Sequence, residues 1–176
     1  MTSRSFETVL VVALSGLGKS WLADAEPEGV YDGDRCIYAA VAEAFPELES
    51  RARLRAWREL ARRRPWEGSG SADEEALALW AGTRRSMIAA LHDVVRSGHY
   101  RLVVTSLVQP DWTVKHYYGI ERHRYLEHLR RCGRALDNGH GEAANDRLEG
   151  FAPLTRLAPG THLAQCPRIR AWAGMG

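Results

Sequence analysis

Apolar positions fall into two kinds of run along the chain. Residues 7–14 (ETVLVVAL) and 100–108 (YRLVVTSLV) are short, β-branched and continuous, the pattern of strands buried on both faces. Elsewhere the spacing is helical. Apolar residues at 37, 40, 41, 44 and 45 predict a helix over 36–45, ended by Pro46. Residues 48–63 predict a second helix with Leu54, Trp57 and Ala61 inward. After a loop at 66–70, Ser71 and Glu74 form a capping box for the longest helix. Its stripe of Leu77, Trp80, Met87, Ile88, Leu91, Val94 and Val95 stops at Gly98. Shorter elements complete the reading. They are a helix from Lys19 to Asp24, strands at 30–32 and 114–118, an Arg-rich helix over 121–132, a helix over 142–148 and a last strand at 161–165. In the 121–132 helix Tyr125, Leu126, Leu129 and Cys132 turn inward, and 137–141 is a loop. Strands separated by helical crossovers imply an α/β three-layer sandwich, a parallel sheet of about five strands in one domain spanning the chain.

Composition narrows the function classes. Apolar residues make up 45%, charged residues 26%, and the formal net charge is +2. Such a chain can bury a real core and is neither a disordered tail nor a strongly charge-driven polyanion binder. The apolar run at 9–14 is far too short to span a bilayer, and no secretory leader pattern is visible. Cys36, Cys132 and Cys166 suit neither a disulfide framework nor a zinc site, so a cytoplasmic protein is expected. His116, His123 and His128 lack a third ligand at metal spacing and are expected at the surface or partly buried.

Of the 24 basic residues only Lys19 and Lys115 are lysine. Where arginine serves almost everywhere, a retained lysine is informative. Lys19 ends the stretch Ala13-Leu14-Ser15-Gly16-Leu17-Gly18-Lys19, followed by Ser20. This resembles the Walker A phosphate loop, G-x-x-x-x-G-K-[ST], with alanine in place of the first glycine. Glycines let the backbone curl so that N–H groups point at phosphate oxygens, and the following helix adds its positive end. Lysine then reaches the β- and γ-phosphates of ATP, and the Ser20 hydroxyl coordinates Mg²⁺. Ser15, Gly16, Leu17, Gly18, Lys19 and Ser20 are therefore the expected nucleotide-binding residues.

The second strand ends in Asp32-Gly33-Asp34. In a parallel sheet, ligands gather at the carboxyl ends of the strands, so this acidic pair should face the same crevice as the loop. One carboxylate can hold Mg²⁺, and the other can orient an attacking hydroxyl or accept its proton.

A phosphate loop followed by Asp-x-Asp at the end of the second strand resembles the small P-loop kinases. These include nucleoside monophosphate kinases, shikimate- and gluconate-type kinases, and polynucleotide-kinase and phage nucleotide-kinase relatives. The resemblance rests on residues 9–34 and implies a P-loop NTPase fold of the nucleotide kinase type. It also implies transfer of the ATP γ-phosphate to a small acceptor, a nucleoside, nucleotide or similar alcohol. By that similarity Asp32 leans toward the metal and Asp34 toward the acceptor hydroxyl. The third strand departs from the pattern. It has no acidic end, offering Thr105 and Ser106 instead, and the chain lacks the Gly-Gly-Gly stretch of a shikimate kinase.

Kinases of this kind close a lid over ATP and neutralise the phosphoryl group with arginine. The candidate lid lies at 119–142, with Arg130 in a catalytic role and Arg134 on the nucleotide. A second basic segment carries Arg51, Arg53, Arg55, Arg58, Arg62, Arg63 and Arg64, with Trp57 among them and Trp66 just after. It could contact a nucleotide phosphate or a DNA or RNA strand. Two alternatives thus stand beside the small-acceptor kinase. One is a kinase acting on a nucleic-acid end hydroxyl or a hydroxymethylated base; the other is a non-catalytic ATP-binding module.

Overall fold

The computed structural model describes residues 5–63, 65, 71–107, 116–132 and 154–176. Its five strands are β1 (Val9–Ala13), β2 (Val30–Asp32), β3 (Leu102–Thr105), β4 (His116–Gly119) and β5 (Leu154–Arg156). They form one all-parallel sheet in the order β2-β3-β1-β4-β5. Six helices accompany them among the described residues: α1 (Lys19–Ala25), α2 (Asp34–Ala44), α3 (Ser50–Arg62), α4 (Ser71–Ser97), α5 (Tyr125–Arg131) and α6 (Pro167–Ala173). The chain is thus α/β. Its contacts divide it into two compact units, Met1–Asp34 with Val94–Gly176, and Arg35–Asp93.

The first unit holds the sheet. All four residues of β3 are buried, and so are Val11, Val12 and Ala13 of β1. Successive strand residues point to opposite faces, so both faces are covered there, as continuous apolar runs require. Register aligns Val12 with Thr105, Ala13 with Tyr118 and Asp32 with Val104. The carboxyl ends of β2, β3 and β1 therefore lie side by side. From β1 the chain passes to β2 beyond β3, whereas β4 and β5 lie on the other flank. The connection leaving β1 runs toward β2 and the one leaving its neighbour β3 runs the other way, toward β4, the arrangement at which open parallel sheets form a ligand crevice. Tyr125, Leu129, Leu163 and Ile169 join the β1 residues and Leu22 in the core of this unit.

Several expectations for this unit need correction. The helix over 121–132 is split into a 3-10 turn, Arg122–Arg124, and α5. Within α5 Leu126, expected inward, is exposed, and His128, expected at the surface or partly buried, is fully buried. The strand expected at 161–165 is a 3-10 turn, Leu163–Gln165. His162 and Gln165 cap that turn reciprocally, and the Leu163 N–H is spent on the Leu17 carbonyl. The fifth strand is instead Leu154–Arg156, three residues with little buried apolar area to signal them. Pro167 opens α6, and Gly174 at φ 80° closes it. The helix expected over 142–148 lies outside the described residues.

The second unit is helical. In α3 the buried residue is Leu60, with Leu54, Trp57 and Ala61 half-buried around it. Arg53 turns back to donate to the carbonyls of Phe45 and Pro46, both at 3.0 Å, tying the start of α3 to the end of α2. In α4 the most buried positions are Thr83, Met87 and Leu91, each four residues from the next. Leu77, expected on that stripe, is exposed. Thr83 occupies a core position because its hydroxyl donates to the Leu79 carbonyl at 2.8 Å. No helix among the described residues is long and apolar enough to cross a membrane.

Candidate functional site

The chain leaves β1 at Ala13, an extended and fully buried residue where the small side chain fits without strain. Leu14 continues the ladder by donating to the Tyr118 carbonyl at 3.3 Å. The turn that follows depends on two glycines. Gly16 has φ 92° and Gly18 φ 80°, and α1 begins at the next residue. A Cβ at Gly18 would also lie 2.6 Å from Nδ1 of His162. Both backbone conformation and close approach thus demand glycine there.

Three successive carbonyls of the turn are held from outside. Tyr125 Oη donates to the Ser15 carbonyl at 3.2 Å. The Leu163 N–H donates to the Leu17 carbonyl at 2.9 Å. Between them, the Gly16 carbonyl lies 3.2 Å from Nε2 of His128. The Gly160 N–H donates to Nδ1 of the same ring at 3.0 Å, so the proton sits on Nε2 and that nitrogen donates to Gly16. In a trans peptide the carbonyl and the following N–H point opposite ways. The amides of Gly16, Leu17 and Gly18 are consequently aimed away from these three partners.

Lys19 is buried. Its Nζ donates to the carbonyls of Ala13 at 3.2 Å and Leu14 at 3.0 Å, and lies 3.3 Å from Oδ2 of Asp34. The other oxygen of Asp34, Oδ1, accepts from the Thr105 hydroxyl at 3.1 Å, the Ser106 N–H at 2.7 Å and the Ser106 hydroxyl at 2.9 Å. These donors stand at the end of β3, where the family pattern would carry an acid. Asp32 is buried and accepts from the Ser20 hydroxyl at 2.6 Å through Oδ2 and from the Asp34 N–H at 3.1 Å through Oδ1. Ser20, Lys19, Asp32 and Asp34 therefore form one connected polar cluster beside the glycine turn. It combines a hydroxyl, an ammonium and two carboxylates.

The remaining expected residues are not part of this cluster. Leu17 is fully buried and contributes its backbone. Arg130 is an exposed residue of α5, and Arg134 lies outside the described residues. In the second unit Arg51, Arg55, Arg58, Arg62 and Arg63 are exposed, whereas Arg53 is committed to backbone carbonyls. Arg64 and Trp66 lie outside the described residues. His116 packs on Trp172 with ring centroids 4.4 Å apart, and His123 is exposed beside Glu121. No group of three or more His, Cys, Asp or Glu side chains that could hold a metal occurs among the described residues.

His128 and His162 were not anticipated beside the turn. For His128 the signal was its place three residues after Tyr125 and one before Leu129, inside the apolar stripe of α5. Cys132 extends this neighbourhood, its Sγ 3.7 Å from Nε2 of His128 and 3.6 Å from Nε2 of His162. Burial pushes the Tyr118 hydroxyl upward, with nearby Cys166 acting the same way against the opposing Arg168 cation. It also raises the Cys166 thiol.

Comparison of the chain with protein-family models, with curated proteins and with solved structures finds no match.

Proposed function

We propose that the chain is an ATP- and Mg²⁺-dependent phosphotransferase of the small P-loop kinase kind, acting on a hydroxyl or phosphate of a nucleoside, nucleotide or similar small acceptor. One observation carries this reading: the ammonium of Lys19 lies folded over the glycine turn, held by Ala13, Leu14 and Asp34. Its three donors are matched by two main-chain carbonyls and one carboxylate, which hold the ammonium beside the turn. Here the third partner is the carboxylate of Asp34, whose place a phosphate oxygen can take while the carbonyls of Ala13 and Leu14 stay in reach. In the proposed complex the amides of Gly16, Leu17 and Gly18 and the Lys19 ammonium bind the β- and γ-phosphates.

Ser20 and Asp32 offer a hydroxyl and a carboxylate 2.6 Å apart, a hard-oxygen pair that fits Mg²⁺. Magnesium takes one or two protein oxygens and completes its shell with phosphate oxygens and water, so no cage of acidic residues is needed. When bound, it would neutralise charge on the phosphates during transfer. Once Lys19 turns to the nucleotide, Oδ2 of Asp34 is released to face the acceptor, while its Oδ1 stays fixed by Thr105 and Ser106. With a hydroxyl acceptor, the acceptor oxygen forms a bond to the γ-phosphorus as the bond to the bridging oxygen breaks. The hydroxyl proton passes to Asp34 and ADP departs. Catalysis is then positioning plus charge stabilisation.

The test is transfer of labelled γ-phosphate from ATP to pooled nucleosides, nucleotides, sugars and oligonucleotides. Lys19→Ala should lower the rate about 10²–10³-fold, the cost of removing one electrostatic partner of the transferred group. Label appearing on the oligonucleotide pool alone would move the acceptor from small molecule to nucleic acid. No transfer to any pool, or transfer untouched by Lys19→Ala, would overturn the assignment.

A further inference from the structure

We infer that His128, with Tyr125 beside it on α5, is a positioning residue that sets the anion-binding geometry of the turn without touching the nucleotide; this rests on the function proposed above. A glycine-rich turn has many accessible conformations, and an anion can use its amides only if they converge before the anion arrives. This turn is held from behind by side chains of α5. The Gly16 carbonyl, in the middle of the turn, is held at 3.2 Å by an imidazole that is 0% exposed.

The tautomer of that imidazole is dictated one step further out. The Gly160 N–H donates to Nδ1 at 3.0 Å, which leaves Nε2 as the donor toward Gly16. The order of control runs from Gly160 through the ring of His128 to the Gly16 carbonyl and so to the Leu17 N–H on the opposite side of that peptide. Tyr125 repeats the device one residue earlier, holding the Ser15 carbonyl and so orienting the Gly16 N–H. Both residues belong to α5, which packs into the core of the first unit behind the peptides of the turn. Filling the same space with a non-donor would keep the core closed but leave the Gly16 peptide free to rotate.

The experiment compares Mg²⁺-ATP binding by calorimetry, and KM against kcat where transfer is measurable. The proteins are the wild type, His128→Asn, His128→Gln and Tyr125→Phe, with thermal melts as the folding control. Glutamine can place an N–H near the Nε2 position, whereas asparagine reaches only as far as Nδ1 and keeps the bond from Gly160 alone. His128→Asn should weaken binding roughly tenfold and raise KM with little change in kcat, the worth of one lost hydrogen bond at the site. His128→Gln should return affinity to within about threefold of the wild type. Equal affinity for wild type and His128→Asn, or equal losses in the asparagine and glutamine variants, would overturn the inference. Should the His128 variants not fold, Tyr125→Phe decides. It removes one hydroxyl at constant shape, and undiminished affinity would count against the positioning role. A wild type that binds no Mg²⁺-ATP would instead remove the proposed function itself.

Discussion

The ammonium of Lys19 lies 3.3 Å from Oδ2 of Asp34, joining the end of the glycine turn to the residue that follows β2. Both groups are largely withdrawn from solvent, with side chains 5% and 15% exposed. Such a pair is held in place by its remaining partners as much as by its own attraction, because both charges have lost hydration. Lys19 has two carbonyls and Asp34 three donors from the end of β3. Each group can therefore give up the other without being stranded, as exchange with a phosphate and an acceptor would require.

Asp34→Asn separates a kinase from a module that only binds nucleotide. The amide keeps the shape and can still accept through one oxygen from Thr105 and Ser106. It cannot take a proton from the acceptor. Expected is a fall in kcat of about 10²–10⁴-fold with the Kd for Mg²⁺-ATP within about threefold of wild type. Single-turnover transfer and calorimetry on the same preparation check both. An unchanged rate would take the proton-accepting role away from Asp34.

Ser20→Ala removes the hydroxyl that donates to Asp32 at 2.6 Å. The Mg²⁺ concentration giving half-maximal activity should rise about 10- to 100-fold, the usual cost of disturbing a metal's supporting oxygens. A Mg²⁺ titration of the transfer rate measures it, with chelation of the metal as the zero point. A titration curve that superimposes on the wild type would place the metal elsewhere.

Gly18→Ala tests the turn by stability rather than activity. The residue sits at φ 80°, and its Cβ would meet Nδ1 of His162 at 2.6 Å. A left-handed alanine costs about 1–2 kcal/mol before any clash, so a drop in Tm of about 2–8 °C is expected. His162→Ala relieves the clash but not the backbone cost. In a double-mutant cycle the combined loss should be smaller than the sum of the single losses. Strict additivity would mean that His162 does not limit the space at Gly18.

Cys166 offers a pH-dependent readout. Burial raises its thiol above the ordinary value of 9.0, so at any pH below that range less thiolate is present than on a free cysteine. Alkylation of the native protein at pH 8 should therefore be slower at Cys166 than in a peptide of the same sequence. It should accelerate as pH rises through and beyond 9.0. Peptide mapping by mass spectrometry after timed quenching gives the rate, and a native rate matching the peptide would contradict the shift.

What could be read in advance follows from how local the determinants are. β1, the glycine turn, α1 and β2 are each specified by neighbours within a few residues, and their expected places agree with the structure. Lys19 and the acidic pair could be assigned to one crevice because parallel strands share a carboxyl edge. The three donors on Asp34 were less visible, since they depend on the register that sets Asp32 against Val104. The burial of His128 cannot be read from its own helix, because the backbone groups that hold its ring lie elsewhere in the chain. Those groups, of Gly16 and Gly160, are 112 and 32 residues away. β5 is illegible for a plainer reason: three residues with half-buried or exposed side chains leave no hydrophobic trace.

The polar cluster beside the turn has an electrostatic consequence. Lys19 is opposed by Asp32 and Asp34, so these three side chains carry one negative charge in excess when all are ionised. A naked triphosphate entering there would be repelled at short range, where screening by salt is weakest. On the proposed reading, the nucleotide must arrive already complexed with its counter-cation, and removing that cation should empty the cleft rather than merely silence it.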